Sequence, residues 1–289
     1  MVIIDSHCHA GQGDGFTGPW DTAAPLAAYL RRAAAAGITR TVLFSAFHTD
    51  YGRANRIVAG IVGRAPHRFW GYAFVNPRTD AGRIRALVGT AVREFGFRGI
   101  KVHRHDGPLS REVCEAAREY ALPVLYDPQG EVALVDLVAP EYPDVPFIIP
   151  HLGSFADDWK AQRQLVDILV RHPNVHTDTS GVRRFDVLEE ALRRAGAHKI
   201  LFGTDGPWLH PGLELAKVRA LRLPPAQERL VLGGNLLRLL GPGHPPAARD
   251  SGQGAPVTRP LSWYPRRARR RAGGPPTAGG HGAVAGRGR

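Results

Sequence analysis

Two histidines that lie two residues apart, His7 and His9, follow an apolar run near the start of the chain. In an extended strand, residues i and i+2 project to the same side, so both imidazoles can reach one bound ion. Histidine is a common ligand of zinc and other divalent metals. The spacing therefore predicts a metal site at the end of the first strand. Cys8, between the two histidines, is predicted to point outward into packing.

Polar residues also close four later apolar runs. Lys101 and His103 end the fourth predicted strand, Asp127 the fifth, His151 the sixth and Asp205 the eighth. The carboxyl ends of barrel strands form one face, where barrel enzymes build their active sites. Burying so many polar groups without a use for them would be costly. The pattern therefore favours an active site over ordinary packing.

The elements that must position these residues alternate between short apolar runs and longer amphipathic segments. Eight strand-like runs cover residues 2–7, 39–46, 69–75, 98–103, 123–127, 146–151, 175–179 and 199–205. Helical spacing of apolar residues marks, among others, residues 23–36, 81–95, 157–171, 185–195 and 225–240. Eight such pairs in about 240 residues predict an α/β fold, a (β/α)8 TIM barrel spanning residues 1–241. A doubly wound open sheet is disfavoured because no phosphate-binding glycine loop with the required spacing follows the first strand.

Five segments form a recognisable series of motifs, in order IDSHCH at 4–9, GIKVH at 99–103, PHLG at 150–153, FGTDGP at 202–207 and LGGNLLRLL at 232–240. With these motifs, the chain resembles the amidohydrolase superfamily over residues 2–241. The branch it resembles is the amidohydrolase-related group, which includes aminocarboxymuconate semialdehyde decarboxylase and related hydrolases and lactonases. The motifs are specific for the superfamily and say little about the substrate.

The resemblance implies a role for each matching residue. His7, His9 and Asp205 would bind one divalent metal ion, with zinc favoured and manganese as the alternative. Asp205 would also take a proton from the bound water, and His151 would act as acid, base or substrate-polarising group. The family usually has a ligating histidine where this chain has Asp127. Asp127 is predicted to replace it as a ligand; the alternatives are weak metal binding or entry of His151 into the ligand set.

The substrate-binding residues are predicted to follow the fourth strand. Lys101, His103 and Arg104 would contact the substrate, Arg104 by its planar guanidinium. A carbamylated Lys101 that bridges two metals is the less favoured alternative. Aromatic residues in predicted loops are candidates for the cavity wall, namely Trp20, Phe47, Trp159 and Trp208.

The leading functional hypothesis is a metal-dependent hydrolase that cleaves an amide, ester or lactone of a small molecule. The alternative within enzymes is a metal-dependent decarboxylase of an unsaturated or aromatic carboxylic acid. From another class comes a non-catalytic barrel with a basic tail that binds nucleic acid. A barrel that binds ligand without turnover is also left open.

The net charge of +12 is concentrated at the C-terminus. Residues 242–289 hold nine arginines and one acid, which gives +8 and leaves +4 for residues 1–241. Ten glycines and eight prolines in the same segment predict a disordered tail. Nucleic acid is disfavoured as a partner, because the barrel has no basic stripe with aromatics. We expect a cytoplasmic protein that does not span a membrane, with a small-molecule substrate and a homodimer left open.

Overall fold

The computed structural model describes residues 1–16, 23–155 and 158–241. Trp20 and the predicted tail at 242–289 lie outside the described residues. The strands are β1 Ile4–Gln12, β2 Ala23–Ala24, β3 Arg40–Ser45, β4 Phe69–Gly71, β5 Ala73–Phe74, β6 Ile100–His103, β7 Val124–Asp127, β8 Phe147–Ile149, β9 Val175–Asp178 and β10 Ile200–Leu201. The helices are α1 Leu26–Ala35, α2 Tyr51–Arg64, α3 Ile84–Phe95, α4 Arg111–Glu119, α5 Ala133–Val138, α6 Trp159–Arg171, α7 Phe185–Ala195, α8 Pro211–Ala220, α9 Pro225–Arg229 and α10 Asn235–Leu239.

The parallel strands form the predicted eight-stranded barrel. One ladder runs β1-β3-β4 and the other β5-β6-β7-β8-β9-β10, while β2 pairs antiparallel with the end of β1. β4 and β5 are one barrel strand interrupted at Tyr72, since β4 pairs with β3 and β5 with β6. At the seam between β1 and β10, Ser6 N–H donates to the carbonyl of Phe202 at 2.9 Å and His9 N–H to that of Gly206 at 2.6 Å.

A β-bulge in β1 decides which of its side chains enter the barrel. The register with β3 shifts by one residue between Asp5 and Cys8. Strict alternation would have put Asp5 on the same side as His7. The bulge instead turns Asp5 outward, where both of its oxygens are hydrogen-bonded and one accepts from Tyr29 of α1. His7 and His9 still share the inner side.

Two predicted strands end earlier than their apolar runs. β8 stops at Ile149 and β10 at Leu201, so His151 and Asp205 lie in the turns that follow. Both have left-handed backbones, with φ of 59° at His151 and 53° at Asp205. Non-glycine residues rarely adopt this conformation, and it often marks functional sites.

The helices cover the barrel with the predicted amphipathic faces. α7 has the predicted bounds. α3 begins three residues later than predicted and ends at Phe95, followed by Gly96, whose φ is 65°. The last predicted helix is two short helices, because Leu230–Gly234 departs from α-helical geometry at Gly233. Among the described residues, no helix has the length and apolar character needed to cross a membrane.

Candidate active site

β1 and the turn after β10 bring three of the four predicted metal ligands together. Oδ1 of Asp205 lies 3.3 Å from Nε2 of His7 and 3.7 Å from Nε2 of His9. The two histidines are buried on the inner side of β1, which continues beyond them to Gln12, and Asp205 is slightly exposed in the turn after β10. The seam of the barrel therefore joins residues from the two ends of the domain into one cluster.

The hydrogen bonds of the imidazoles determine which ring nitrogen faces this cluster. Nδ1 of His7 donates to Asp178 at 2.8 Å, and Nδ1 of His9 donates to the carbonyl of Ser45 at 2.8 Å. Nδ1 of His151 donates to the carbonyl of Ser180 at 2.7 Å. A neutral imidazole with its hydrogen on Nδ1 has its lone pair on Nε2. Burial lowers the pKa of both His7 and His9, which favours this neutral form.

His151 joins the cluster more closely than the sequence indicates. Ligand atoms of His7, His151 and Asp205 all lie within 4.8 Å of one another, a spacing that one metal ion can bridge. Among the described residues, these three form the one group of histidine, cysteine or acidic side chains that lie close enough together to hold an ion. His9 adds a fourth ligand atom, because its Nε2 lies 3.7 Å from Oδ1 of Asp205.

Asp127, the predicted replacement ligand, lies outside that group. Its Oδ2 is 3.2 Å from Nε2 of His103 and 3.6 Å from Nε2 of His151. Nδ1 of His103 accepts from the backbone N–H of His105 at 3.1 Å, so His103 has its hydrogen on Nε2 and donates it to Asp127. Burial alone would raise the pKa of Asp127, but His103, His151 and Lys101 hold it well below its usual value.

Lys101 lies at the floor of the same site. It is fully buried, and Nζ has no hydrogen-bond partner among the described residues. Nζ lies 5.1 Å from the centre of the Phe44 ring, within cation–π range. Burial lowers the pKa of its ammonium, while the nearby carboxylates of Asp127 and Asp205 oppose that effect. A buried donor without a partner is costly, and a ligand could satisfy it.

Of the three predicted substrate-binding residues, Lys101 and His103 line a cavity of about 440 Å³ and Arg104 does not. The Arg104 guanidinium instead donates to Glu131 at 2.8 Å, outside the barrel mouth. Trp159 is also absent from the lining and is about half exposed. The cavity contains the histidine–aspartate cluster, and its wall includes three aromatic side chains, Phe47, Phe155 and Trp208.

Two supporting residues were missed from the sequence. Asp178 ends β9 and Ser180 follows it, and together they contact the Nδ1 atoms of His7 and His151. Asp178 occupies the same kind of strand-end position as Asp127, so the rule applied to the other strands would have found it. No comparable signal existed for Ser180.

Asp5 supports the site from the outer side of β1. One oxygen accepts from the backbone N–H groups of His7 and Thr204, and the other from the hydroxyls of Tyr29 and Thr204. These bonds tie the strand that bears His7 to the turn that leads into Asp205. Burial raises the pKa of Asp5 to about 7, although the hydrogen bonds oppose that rise.

The amidohydrolase family model matches residues 4–241, the whole barrel. The chain belongs to the amidohydrolase family. The predicted resemblance is thereby confirmed, and with it the prediction of an amidohydrolase-type enzyme. No curated protein matches this amidohydrolase in a sequence comparison.

Solved structures with the same fold include decarboxylases and a zinc protein. A 2,6-dihydroxybenzoate decarboxylase from Rhizobium is 19% identical with a TM-score of 0.66, covering 83% of this chain and 98% of that chain. A dihydroxybenzoic acid decarboxylase from Polaromonas, with bound manganese and the inhibitor 2-nitroresorcinol, is 20% identical with a TM-score of 0.63, covering 83% and 96%. An amidohydrolase from Burkholderia multivorans with bound zinc is 15% identical with a TM-score of 0.69, covering 83% and 99%. These likenesses confirm the barrel fold.

Proposed function

We propose that this chain is a metal-dependent decarboxylase of a small aromatic carboxylic acid. The observation that carries the proposal is the buried ammonium of Lys101, without a protein partner, in a cavity that also holds the histidine–aspartate cluster and aromatic walls. Such a cavity suits a flat, apolar molecule with an anionic group. The similar folds of two dihydroxybenzoate decarboxylases support the same substrate class.

The donor set fits one divalent cation. Nε2 of His7, His9 and His151 and one oxygen of Asp205 would hold it, and imidazole with carboxylate suits zinc or manganese. The proposed set replaces Asp127 with His151, one of the arrangements that the sequence left open. The metal would supply Lewis acidity that anchors and polarises a carboxylate or phenolate oxygen. The manganese in the Polaromonas protein and the zinc in the Burkholderia protein are in line with this choice.

The residues around the cation would bind the substrate and move its proton. Lys101 would pair with an anionic oxygen of the substrate, and His103, fixed by Asp127, would line the same side. Phe47, Phe155 and Trp208 would pack on the ring and exclude water. A proton delivered to the ring carbon that bears the carboxylate, from the oxygen of Asp205 that would not hold the cation, allows the carbon–carbon bond to break. The bonding pair then restores the aromatic ring, and CO₂ leaves.

Hydrolysis of an amide, ester or lactone is the second candidate, favoured by the placement of Asp205. Its carboxylate lies beside two Nε2 atoms, where it could take a proton from an attacking water. The unpartnered Lys101 has no necessary task in that reaction, which is why we rank it second.

The test is a product assay on the full-length chain loaded with zinc or manganese. 2,6-Dihydroxybenzoate is offered as the decarboxylation probe, with resorcinol and CO₂ measured, and 4-nitrophenyl acetate and a γ-lactone as hydrolysis probes. The proposal predicts release of resorcinol and CO₂ in equal amounts. Hydrolysis without any decarboxylation, by a metal-loaded preparation, would contradict it and favour the second candidate.

A further inference from the structure

The last residue of β9 and the residues just after it contact two of the three histidines. Oδ2 of Asp178 accepts from Nδ1 of His7, and the carbonyl of Ser180 accepts from Nδ1 of His151. We infer that Asp178 and Ser180 are positioning residues that hold both imidazoles in the tautomer whose Nε2 can bind a metal. This inference rests on the metal site of the proposed function and assigns residues beyond the proposed ligands.

The carboxylate of Asp178 is locked in one orientation. Its Oδ1 accepts from the backbone N–H of Ser180 at 3.0 Å, from the hydroxyl of Ser180 and, more weakly, from the N–H of His151 at 3.4 Å. Oδ2 therefore remains for His7. Oδ2 meets Nδ1 of His7 at 2.8 Å, so the carboxylate offers this imidazole an acceptor in a fixed position.

Ser180 connects the two histidines. Its Oγ lies 3.0 Å from Nδ1 of His151 and 3.3 Å from Nδ1 of His7, whose rings are 5.0 Å apart. The next residue anchors the segment from outside, because the N–H of Gly181 donates to Glu214 of α8 at 3.0 Å. The orientations of His7 and His151, which come from different strands, are therefore set by one loop.

Replacing Asp178 with asparagine should therefore change the tautomer of His7. The N–H of Ser180 would keep the amide oxygen at the Oδ1 position, which places the NH₂ group against Nδ1 of His7. His7 would then have to accept with Nδ1 and move its hydrogen to Nε2, where it blocks metal binding. Groups that orient metal-bound histidines typically affect metal affinity about 10- to 100-fold when they are changed.

The experiment compares Asp178→Asn, Ser180→Ala and the control Thr177→Val in the full-length chain. Thr177 is a buried neighbour on β9 whose hydroxyl donates to the backbone carbonyl of Ile149 and, more weakly, to that of Asp178, and not to an imidazole. Zinc affinity is measured by competition with a chelator, and the tautomers of His7 and His151 by ¹H–¹⁵N NMR of metal-free protein at pH 8. Circular dichroism checks that each variant folds.

We expect Asp178→Asn to weaken zinc binding about 10- to 100-fold and to move the His7 hydrogen to Nε2. Ser180→Ala should weaken zinc binding less than Asp178→Asn does, and both histidines should keep Nδ1–H, because the backbone groups of residue 180 remain. Thr177→Val should match the wild type. Wild-type affinity and tautomer in Asp178→Asn would overturn the inference.

Two further outcomes separate this inference from the proposed function. If the wild type binds no zinc, the metal site is wrong, but the tautomers of His7 in the wild type and Asp178→Asn still decide the positioning role. If Asp178→Asn does not fold, Ser180→Ala decides the question. Unchanged zinc affinity in that variant would contradict the positioning role, and the expected loss of zinc affinity would support it.

Discussion

Oδ1 of Asp205 lies 3.3 Å from Nε2 of His7, although one residue follows the last barrel strand and the other sits on the first. Their approach depends on the closure of the barrel, where Ser6 and His9 donate to Phe202 and Gly206. Asp5 reinforces the seam by bonding to both sides of it. The candidate metal centre is therefore a product of the tertiary fold.

Replacing Lys101 with methionine should selectively remove the affinity for anionic aromatic ligands. A hydrogen bond to a charged group contributes about 1.5–3 kcal/mol, so benzoate should bind roughly 10- to 100-fold more weakly. Benzamide, which has the same ring without the charge, should bind the variant as it binds the wild type. Isothermal titration of the zinc-loaded chain with both compounds measures the difference.

Arg104→Met is the matched control for Lys101→Met. Arg104 is a neighbouring cation that pairs with Glu131 and does not line the cavity, so benzoate should bind this variant normally. Metal content should be unchanged in both variants. A loss of metal in Lys101→Met would mean that Lys101 is a bridging ligand, which contradicts the role proposed for it.

Gly181→Ala should distort the loop that orients the histidines. Gly181 has φ of 62°, and an added Cβ would lie 2.5 Å from the Phe155 ring. The left-handed backbone alone costs roughly 1–2 kcal/mol for a residue with a Cβ, and the clash adds to it. We expect a lower free energy of unfolding, measured in urea, and weaker zinc binding.

Gly60→Ala should change the free energy of unfolding in the opposite direction to Gly181→Ala. Gly60 lies in α2 with nothing within 4 Å of its added Cβ. Alanine there should raise the free energy of unfolding by about 0.5–1 kcal/mol and leave zinc binding alone. Equal effects of the two substitutions would show that the loop has no special constraint at Gly181.

His176 should make the barrel sensitive to acid. It is buried in β9 with Nδ1 unpartnered among the described residues, and burial together with Lys199 and Arg238 lowers its pKa to about 3. The unfolded chain binds a proton at this residue near pH 6.5, whereas the folded chain does not until about pH 3. Between these values the free energy of unfolding falls by about 1.4 kcal/mol for each pH unit of acidification.

The substitution His176→Leu removes the contribution of this imidazole to the pH dependence of the free energy of unfolding. Between pH 7 and pH 5, the variant should lose about 2 kcal/mol less stability than the wild type in urea unfolding. Parallel loss of stability in both proteins over that interval would refute the assignment.

Much of the fold was predictable because apolar runs and strand ends follow simple rules. The eight strands, the helix α7 and the clustering of His7, His9, His151 and Asp205 all follow from the spacing of apolar and polar residues. Asp178 obeys the same rule and was overlooked. The tail, the homodimer and the exclusion of nucleic acid stay predictions.

What the sequence could not supply was side-chain direction where the backbone departs from regular geometry. The bulge in β1 turns Asp5 outward, and left-handed turns aim His151 and Asp205. Asp127 faces His103, and Arg104 turns to Glu131, because each finds a polar partner after its strand ends. These side-chain orientations depend on contacts with residues that are distant in the sequence.

The metal content of the purified full-length chain shows whether the histidine–aspartate cluster binds a divalent cation. Mass spectrometry would be applied to untagged wild type and to the His7→Ala/His9→Ala double variant, both after incubation with zinc or manganese and removal of free ion. We expect about one equivalent of metal in the wild type and its loss in the variant, because two of the proposed ligands are gone. No bound metal in the wild type, or full occupancy in the variant, would contradict it.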